Sequence, residues 1–338
     1  MIATEAAAAF DVAGSVVSVT PHPSGHINDG YLVVTDRGRY LLQRLNPSVF
    51  ADPDAVMANV AAVTGHLRAK GEPTLTLVDS RGGGPSSPDD TGALWRMYTY
   101  IDGAHPFGVE TADDAALVGR TFGHFHRLLD DLDPNALRVS LPDFHDPARR
   151  VTQLESARDD DPHRRSAEAR PLVDELLHLR GLAVAGEALR RLPARVAHND
   201  AKAANLLIDD CGKNPPVVVD LDTVMAGSVL WDVGDMVRSS TGTADESAAG
   251  VRFDVARYDA LVDAWLGEVS ELLTPEERAA VPVAGPVVTF EQAVRFLTDH
   301  LQGDVYFRVG FPGENLNRAR NQFELLRSML SILDKGRP

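Results

Sequence analysis

Between Ala197 and Asp222 the chain sets out His198, Asp200, Lys202 and Asn205 as His-x-Asp-x-Lys-x-x-Asn, with Asp220 and Asp222 following an apolar run. Those residue types suit phosphoryl transfer to an alcohol. A hydroxyl is a poor nucleophile near neutral pH, so a carboxylate such as Asp200 must orient it and receive its proton. Lys202 can lean from the same loop toward the charge that spreads over the transferred oxygens. Magnesium keeps several waters and needs only one or two carboxylates and an amide or carbonyl oxygen from protein. Asn205 and Asp220 supply these. Asp222, two residues further along, shares a strand face with Asp220 and is a third candidate ligand. Taken singly, each Asp or Asn is an ordinary turn or cap former; the joint spacing carries the reading. His198 is expected to hold the loop by hydrogen bonds.

The elements that must position these groups are short. Residues 205–209 and 217–220 read as two strands around Asp210-Cys211-Gly212-Lys213-Asn214-Pro215-Pro216, where Gly, Asn and a Pro pair forbid a continuous ladder. The resulting hairpin is expected to return Asp220 beside Asn205. Upstream, an Ala-rich opening reads as a helix. Residues 14–45 alternate as β-structure, with strands at 31–35 and 39–43 about Asp36-Arg37-Gly38. Asp52-Pro53-Asp54 starts a helix whose apolar positions Val56, Val60, Val63 and Leu67 recur at helical spacing. Strands are expected at 74–79 and 94–101, separated by a surface loop at 81–88. Beyond Gly103 the periods turn helical, at 115–129, 167–192 and 255–273.

Together with Gly25-His26-Ile27-Asn28-Asp29, Leu42-Gln43-Arg44-Leu45-Asn46, Asp220-Leu221-Asp222-Thr223-Val224-Met225 and Gly303-Asp304-Val305-Tyr306-Phe307, the catalytic segment resembles the aminoglycoside phosphotransferase and choline kinase superfamily. Within it the chain is most similar to the N-acetylhexosamine 1-kinases. The resemblance implies an α+β, two-lobed protein-kinase-like fold, with a small β-rich lobe over residues 1–102 and a larger helical lobe over 103–338. It implies ATP as co-substrate, Mg2+ as the metal, and a sugar acceptor phosphorylated on its anomeric oxygen. An aminoglycoside, an amino alcohol or another metabolite as acceptor stays open, as does a catalytically silent nucleotide-binding module.

On the nucleotide side, Ser24, Gly25, His26 and Asn28 lie between two expected strands, where turn amides could cover phosphates; an ordinary hairpin turn would look the same. The segment around Thr99, Tyr100 and Ile101 resembles the superfamily's hinge, whose backbone pairs with adenine. The strand at 39–45 offers Gln43 and Arg44 where the resemblance leads one to expect a phosphate-binding lysine. Only one of the two can face the cleft. The next helix lacks a Glu partner, so lysine and glutamate are expected to have been lost together, and either Gln43, bonded to Asn59, or Arg44 is expected to contact the phosphates. For the acceptor, Asp304, Tyr306 and Arg308 offer the polar mixture a sugar needs, alongside Asp200 itself; an internal salt bridge stabilising the C-terminal helices is the competing reading. Asp232 resembles a buried aspartate that braces the catalytic loop.

With 338 residues the chain has room for a full core, and 44% hydrophobic and 24% charged residues are ordinary for a soluble protein. A net charge of -16 argues against nucleic acid as partner. Cys211 is the only cysteine, so no internal disulfide can form. Without a signal segment or a run of about eighteen apolar residues, the expectation is a cytoplasmic protein with no membrane partner. The number of subunits is left open. His124 and His126, at i and i+2 on a helix, diverge and read as packing rather than a metal pair. His145 has no evident ligand set.

Overall fold

The computed structural model of the chain describes residues 2–22, 27–209, 212 and 214–333. Two compact units emerge. The first comprises Met1–Pro106, Asn135–Pro142 and Leu206–Met225; the second comprises Phe107–Pro134, Asp143–Asn205 and Ala226–Pro338.

In chain order the first unit begins with α1 (Ile2–Ala8), β1 (Val16–Pro21), β2 (Asp29–Thr35), β3 (Arg39–Arg44) and α2 (Pro53–Ala69). β4 (Ser86–Pro88), β5 (Leu94–Thr99) and β6 (Ala104–Pro106) follow. Five strands form one antiparallel sheet in the order β1-β2-β3-β5-β4. Its pleat sorts the side chains: Val33, Tyr40, Leu42, Trp95 and Met97 pack with Ala7 and Phe10 beside α1. Register places Leu42 opposite Met97, Gln43 opposite Arg96 and Arg44 opposite Trp95. Successive residues alternate faces, so Arg44 belongs to the Trp95 face and Gln43 and Arg96 to the other.

The helix expected after Asp52 is α2. Asp52 accepts a hydrogen bond from the Ala55 amide and Pro53 fills the first turn, where its missing N–H costs nothing. Val56, Val60, Val63 and Leu67 are all buried, as their spacing requires.

Two strand assignments differ from expectation. Residues 74–79 form no strand; they run beside β5 through one bridge between Leu77 and Tyr98 and bonds from the Val78 amide to the Met97 carbonyl and from the Thr99 amide to the Thr76 carbonyl. The supposed surface loop instead contributes β4, with Ser86, Ser87 and Pro88 opposite Arg96, Trp95 and Leu94. Proline is tolerated there because the strand is at the sheet's edge.

The second unit is helical: α3 (Ala112–Leu129), α4 (Pro147–Asp160), α5 (Ser166–His178) and α6 (Gly181–Arg190) precede the short β7 (Arg195–Ala197). The single helix expected over 167–192 is thus two, broken at Leu179 and Arg180. The chain then gives β8 (Leu206–Asp209) and β9 (Val217–Val218) to the first unit. They pair antiparallel, Leu206 opposite Val218 and Leu207 opposite Val217, which is the anticipated hairpin in shortened form. β6 pairs along the other edge of β8. Finally α7 (Leu230–Ser240), α8 (Val255–Val269), α9 (Pro275–Leu301) and α10 (Glu314–Leu333) complete the helical unit, whose core gathers Leu154, Val173, Leu176, Phe290, Leu297 and Leu326.

α3 packs closely against α8, and Gly119 permits it. A Cβ at Gly119 would lie 2.1 Å from the backbone carbonyl oxygen of Leu261, and backbone cannot step aside as a side chain can. Gly119→Ala is therefore expected to cost about 1–3 kcal/mol of stability by overpacking. Chemical denaturation would show it, and an unchanged midpoint would mean that the helices are not so closely seated. No helix among the described residues is long and apolar enough to cross a membrane.

Candidate active site

The catalytic segment lies in the second unit between β7 and β8. Asp232, fully buried near the start of α7, accepts from the backbone amides of His198 at 2.7 Å and Asn199 at 2.6 Å. It also pairs with His126 Nε2 at 2.7 Å, and Trp265 Nε1 donates to His126 Nδ1 at 3.1 Å. One carboxylate therefore grips the loop and is itself held from α3. His124 turns elsewhere, its Nδ1 accepting from Arg127 at 2.7 Å. The two rings face different partners, as packing residues would. The His198 ring is buried between Phe122 and Phe125, with the Asp200 amide 3.3 Å from its Nδ1.

Asp200 follows Asn199, whose φ of 64° is costly for a residue with a side chain and persists because Asp232 pins the amides around it. Asp200 Oδ2 accepts from Lys202 Nζ at 2.7 Å and from Asn205 Nδ2 at 2.9 Å. Burial pushes its pKa up, but the charge and hydrogen bond of Lys202, with help from His198 and Asn205, outweigh that and hold it below the usual carboxylate value. Asp200 is consequently ionised throughout the neutral range.

Asn205 Nδ2 donates also to the Asp200 carbonyl at 2.7 Å. With its amide nitrogen so committed, its Oδ1 is turned away as an oxygen donor, the kind of ligand magnesium accepts. Asp220 is exposed and left-handed at φ 59°. Asp200, Lys202 and Asn205 are thus brought together within one unit, while Asp220 and Asp222 belong to the other.

In that first unit Asp222 has a different engagement from the one expected. It is 3% exposed and forms a two-pronged ion pair with Arg96, itself 2% exposed. Asn28 Nδ2 adds a third bond at 2.7 Å to Asp222 Oδ2. Both carboxylate oxygens accept hydrogen bonds, and Asp222 serves as the counter-charge of Arg96. Asn28 is likewise committed, its Oδ1 accepting from the Asn46 amide at 3.0 Å. Ser24, Gly25 and His26 lie outside the described residues.

Arg96 is the residue that sequence reasoning missed. Its Nε donates to Gln43 Oε1 at 3.0 Å, and its guanidinium lies 5.1 Å from the Tyr98 ring centroid. The expected bond between Gln43 and Asn59 does not form. Asn59, 1% exposed, instead ties the Arg138 backbone and the Val224 carbonyl. Arg44, on the opposite face, lies 3.5 Å from Asp89. A buried cation with its carboxylate is present all the same, from other elements: the cation comes from β5 and the carboxylate from beyond β9. Register could have exposed this, since Gln43 and Arg96 become partners once β3 is paired with β5.

At the expected hinge, the Thr99 and Tyr100 amides already bond to the carbonyls of Thr76 and Arg39. Adenine recognition by those two N–H groups would require the bonds to be exchanged. In the second unit Asp304 pairs with Arg165 at 2.5 Å and accepts from Asn315 at 3.0 Å. Tyr306 and Arg308 are exposed. The turn carrying Tyr306 is tied by Asp299, whose carboxylate accepts from the amides of Val305, Tyr306 and Phe307.

Residues 18–272 match the phosphotransferase enzyme family, three quarters of the chain. The chain belongs to that family. Solved structures of low identity show the same protein-kinase-like fold around this phosphotransferase. An aminoglycoside phosphotransferase from Alicyclobacillus acidocaldarius is 12% identical with a TM-score of 0.66, covering 98% of this chain and 96% of the other. A choline/ethanolamine kinase family protein from Mesorhizobium loti is 18% identical at 0.59, covering 99% and 96%. A spectinomycin phosphotransferase solved with ADP and spectinomycin is 11% identical at 0.57, covering 94% and 93%. The phosphotransferase thus has a small sheet unit and a larger helical unit, as its α+β sequence pattern implied.

Proposed function

We propose that this phosphotransferase moves the γ-phosphoryl of ATP to a sugar hydroxyl, the anomeric oxygen of an N-acetylhexosamine. The observation that carries the reading is the Asp200 carboxylate, ionised and fixed on its Oδ2 edge by Lys202 and Asn205. That leaves Oδ1 to orient the acceptor hydroxyl and receive its proton as the new P–O bond forms and the bond to ADP breaks. Lys202, already ionically paired, can follow the charge from Asp200 toward the phosphoryl oxygens.

Donor chemistry and motif spacing support Asn205 and Asp220 as ligands of Mg2+, which when bound neutralises charge on the phosphate oxygens. On the nucleotide side, the Gln43 and Arg96 face of the sheet is favoured over the Arg44 face, because it gathers the buried cation. Residues 99–101 are assigned to the adenine. The sugar reading rests on the resemblance around Gly303 to Phe307. Tyr306 and Arg308 are its contact residues, with Asp304 setting the turn through Arg165 and Asn315.

A panel of N-acetylhexosamines, unacetylated hexoses, aminoglycosides and amino alcohols, each with ATP and Mg2+, tests this by ADP release and phosphorus NMR of the product. The expected product is an N-acetylhexosamine 1-phosphate. ADP release with an aminoglycoside or amino alcohol, and none with any sugar, would overturn the acceptor while keeping the transfer chemistry. Nucleotide binding with no ADP from any acceptor would overturn both.

A further inference from the structure

His145 has no place in the phosphoryl-transfer motif, yet its ring meets the catalytic loop. His145 Nε2 lies 2.9 Å from the carbonyl oxygen of Asn199, and Nδ1 lies 2.9 Å from Glu291 Oε2 on α9. Both partners are acceptors: a peptide carbonyl carries no proton, and Glu291 also accepts from the Asp146 amide at 2.9 Å through its other oxygen. A neutral imidazole has a single N–H and would leave one of these short contacts without a hydrogen. The ring stacks on Trp231, centroids 4.7 Å apart and planes 8° from parallel, so it cannot swing to relieve such a mismatch.

We propose that His145 is a positioning residue of this phosphotransferase, holding an imidazolium that links Glu291 to the Asn199 carbonyl and thereby fixes the peptide plane leading into Asp200. That plane is clasped on both sides: its carbonyl by His145 and its amide nitrogen by His198. Asp232 holds the two preceding amides. The direction of the Asp200 carboxylate is set by that plane, because Asn199 is already in a sparsely populated backbone region and an unheld peptide there would rotate. The inference rests on the transfer chemistry of the family and is independent of the acceptor.

Burial alone lowers the ring's affinity for its proton, but the charge and hydrogen bond of Glu291 and the bond to Asn199 raise it further, against a smaller repulsion from Arg295. The net direction is upward from the ordinary histidine value. The charged groups facing this cluster are Glu291 and Arg295 on α9 and Arg150 on α4, whose Nε is 3.9 Å from Glu291. With a folded pKa above the unfolded one, the clasp is complete below the unfolded value and is lost as pH rises through the folded one.

Protein labelled with nitrogen-15 in its histidines, with no acceptor added, tests the charge directly. The His145 signals, assigned by their loss in His145→Gln, should show both nitrogens protonated at pH 7. The Asn199 and Asp200 backbone amides should shift with the same alkaline midpoint. In Glu291→Gln, which keeps an acceptor for the Asp146 amide, that midpoint should fall by a unit or more. A neutral His145 at pH 7, or loop amides that ignore its titration, would overturn the proposal. In steady-state assays with whichever acceptor the panel supports, folded His145→Gln should lose tenfold or more in kcat with KM for ATP within twofold. An unchanged kcat would overturn the positioning role, and the spectroscopic arm stands even if no acceptor is found.

Discussion

Replacing Asp200 with asparagine should lower turnover about a hundredfold or more while leaving ATP affinity close to that of the unaltered chain. Asparagine keeps the size of the side chain and an oxygen for the Asn205 and Lys202 contacts, so the loop geometry survives. What disappears is a charged oxygen able to take a proton. The loss should fall on kcat, since a base acts on a bond that changes only in the transition state. ATP titration followed calorimetrically, set beside turnover with the best acceptor, separates the two. A rate within a few-fold of normal would remove Asp200 from the chemistry, and a collapse of ATP binding would recast it as a nucleotide residue.

The second large effect concerns stability. Arg96 and Asp222 are buried together, and removing either partner strands the other charge in the interior. Asp222→Ala is expected to destabilise the first unit by about 3–5 kcal/mol. Changing both together, to Met at 96 and Leu at 222, should restore much of that, because a well-filled apolar pair carries no desolvation cost. Denaturant unfolding followed at the assigned NMR signal of the Trp95 indole, which neighbours Arg96 on β5, would report on this unit. If the single change cost less than 1 kcal/mol, water would have to reach the pair, against its observed burial.

Local signals in the chain made much of this architecture legible. Asp52-Pro53 specified the start of α2 through a side-chain cap and a tolerated proline, and the Gly, Asn and Pro signals between 209 and 217 marked where β8 and β9 pair. The competing turn signal at 81–88 misled, because three of its residues gain a ladder only by meeting β5, a tertiary event that composition does not encode. Leu179-Arg180 broke an apolar period that ran on through it.

In the site, the cluster of Asp200, Lys202 and Asn205 was readable because all three sit within six residues and share one loop. Arg96 was not, for its partners are Gln43 on another strand and Asp222 far along the chain, joined only through sheet register and long-range folding. His145 was set aside for the same reason: Glu291 and Asn199, the partners of its ring, are remote in sequence. Spacing reveals chemistry carried by a contiguous loop and is silent on the groups that steady it from elsewhere.

The 126 positions separating Arg96 from Asp222 also impose an order on biosynthesis. At the usual pace of translation, the guanidinium is made roughly 6 to 25 s before its carboxylate. During that interval the N-terminal sheet has no anion to seat beneath Arg96, and sealing that layer would leave a cation dry and unmatched. The nascent sheet must therefore remain open on that side until the hairpin carrying Asp222 has left the ribosome, which couples maturation of the N-terminal layer to arrival of the catalytic segment.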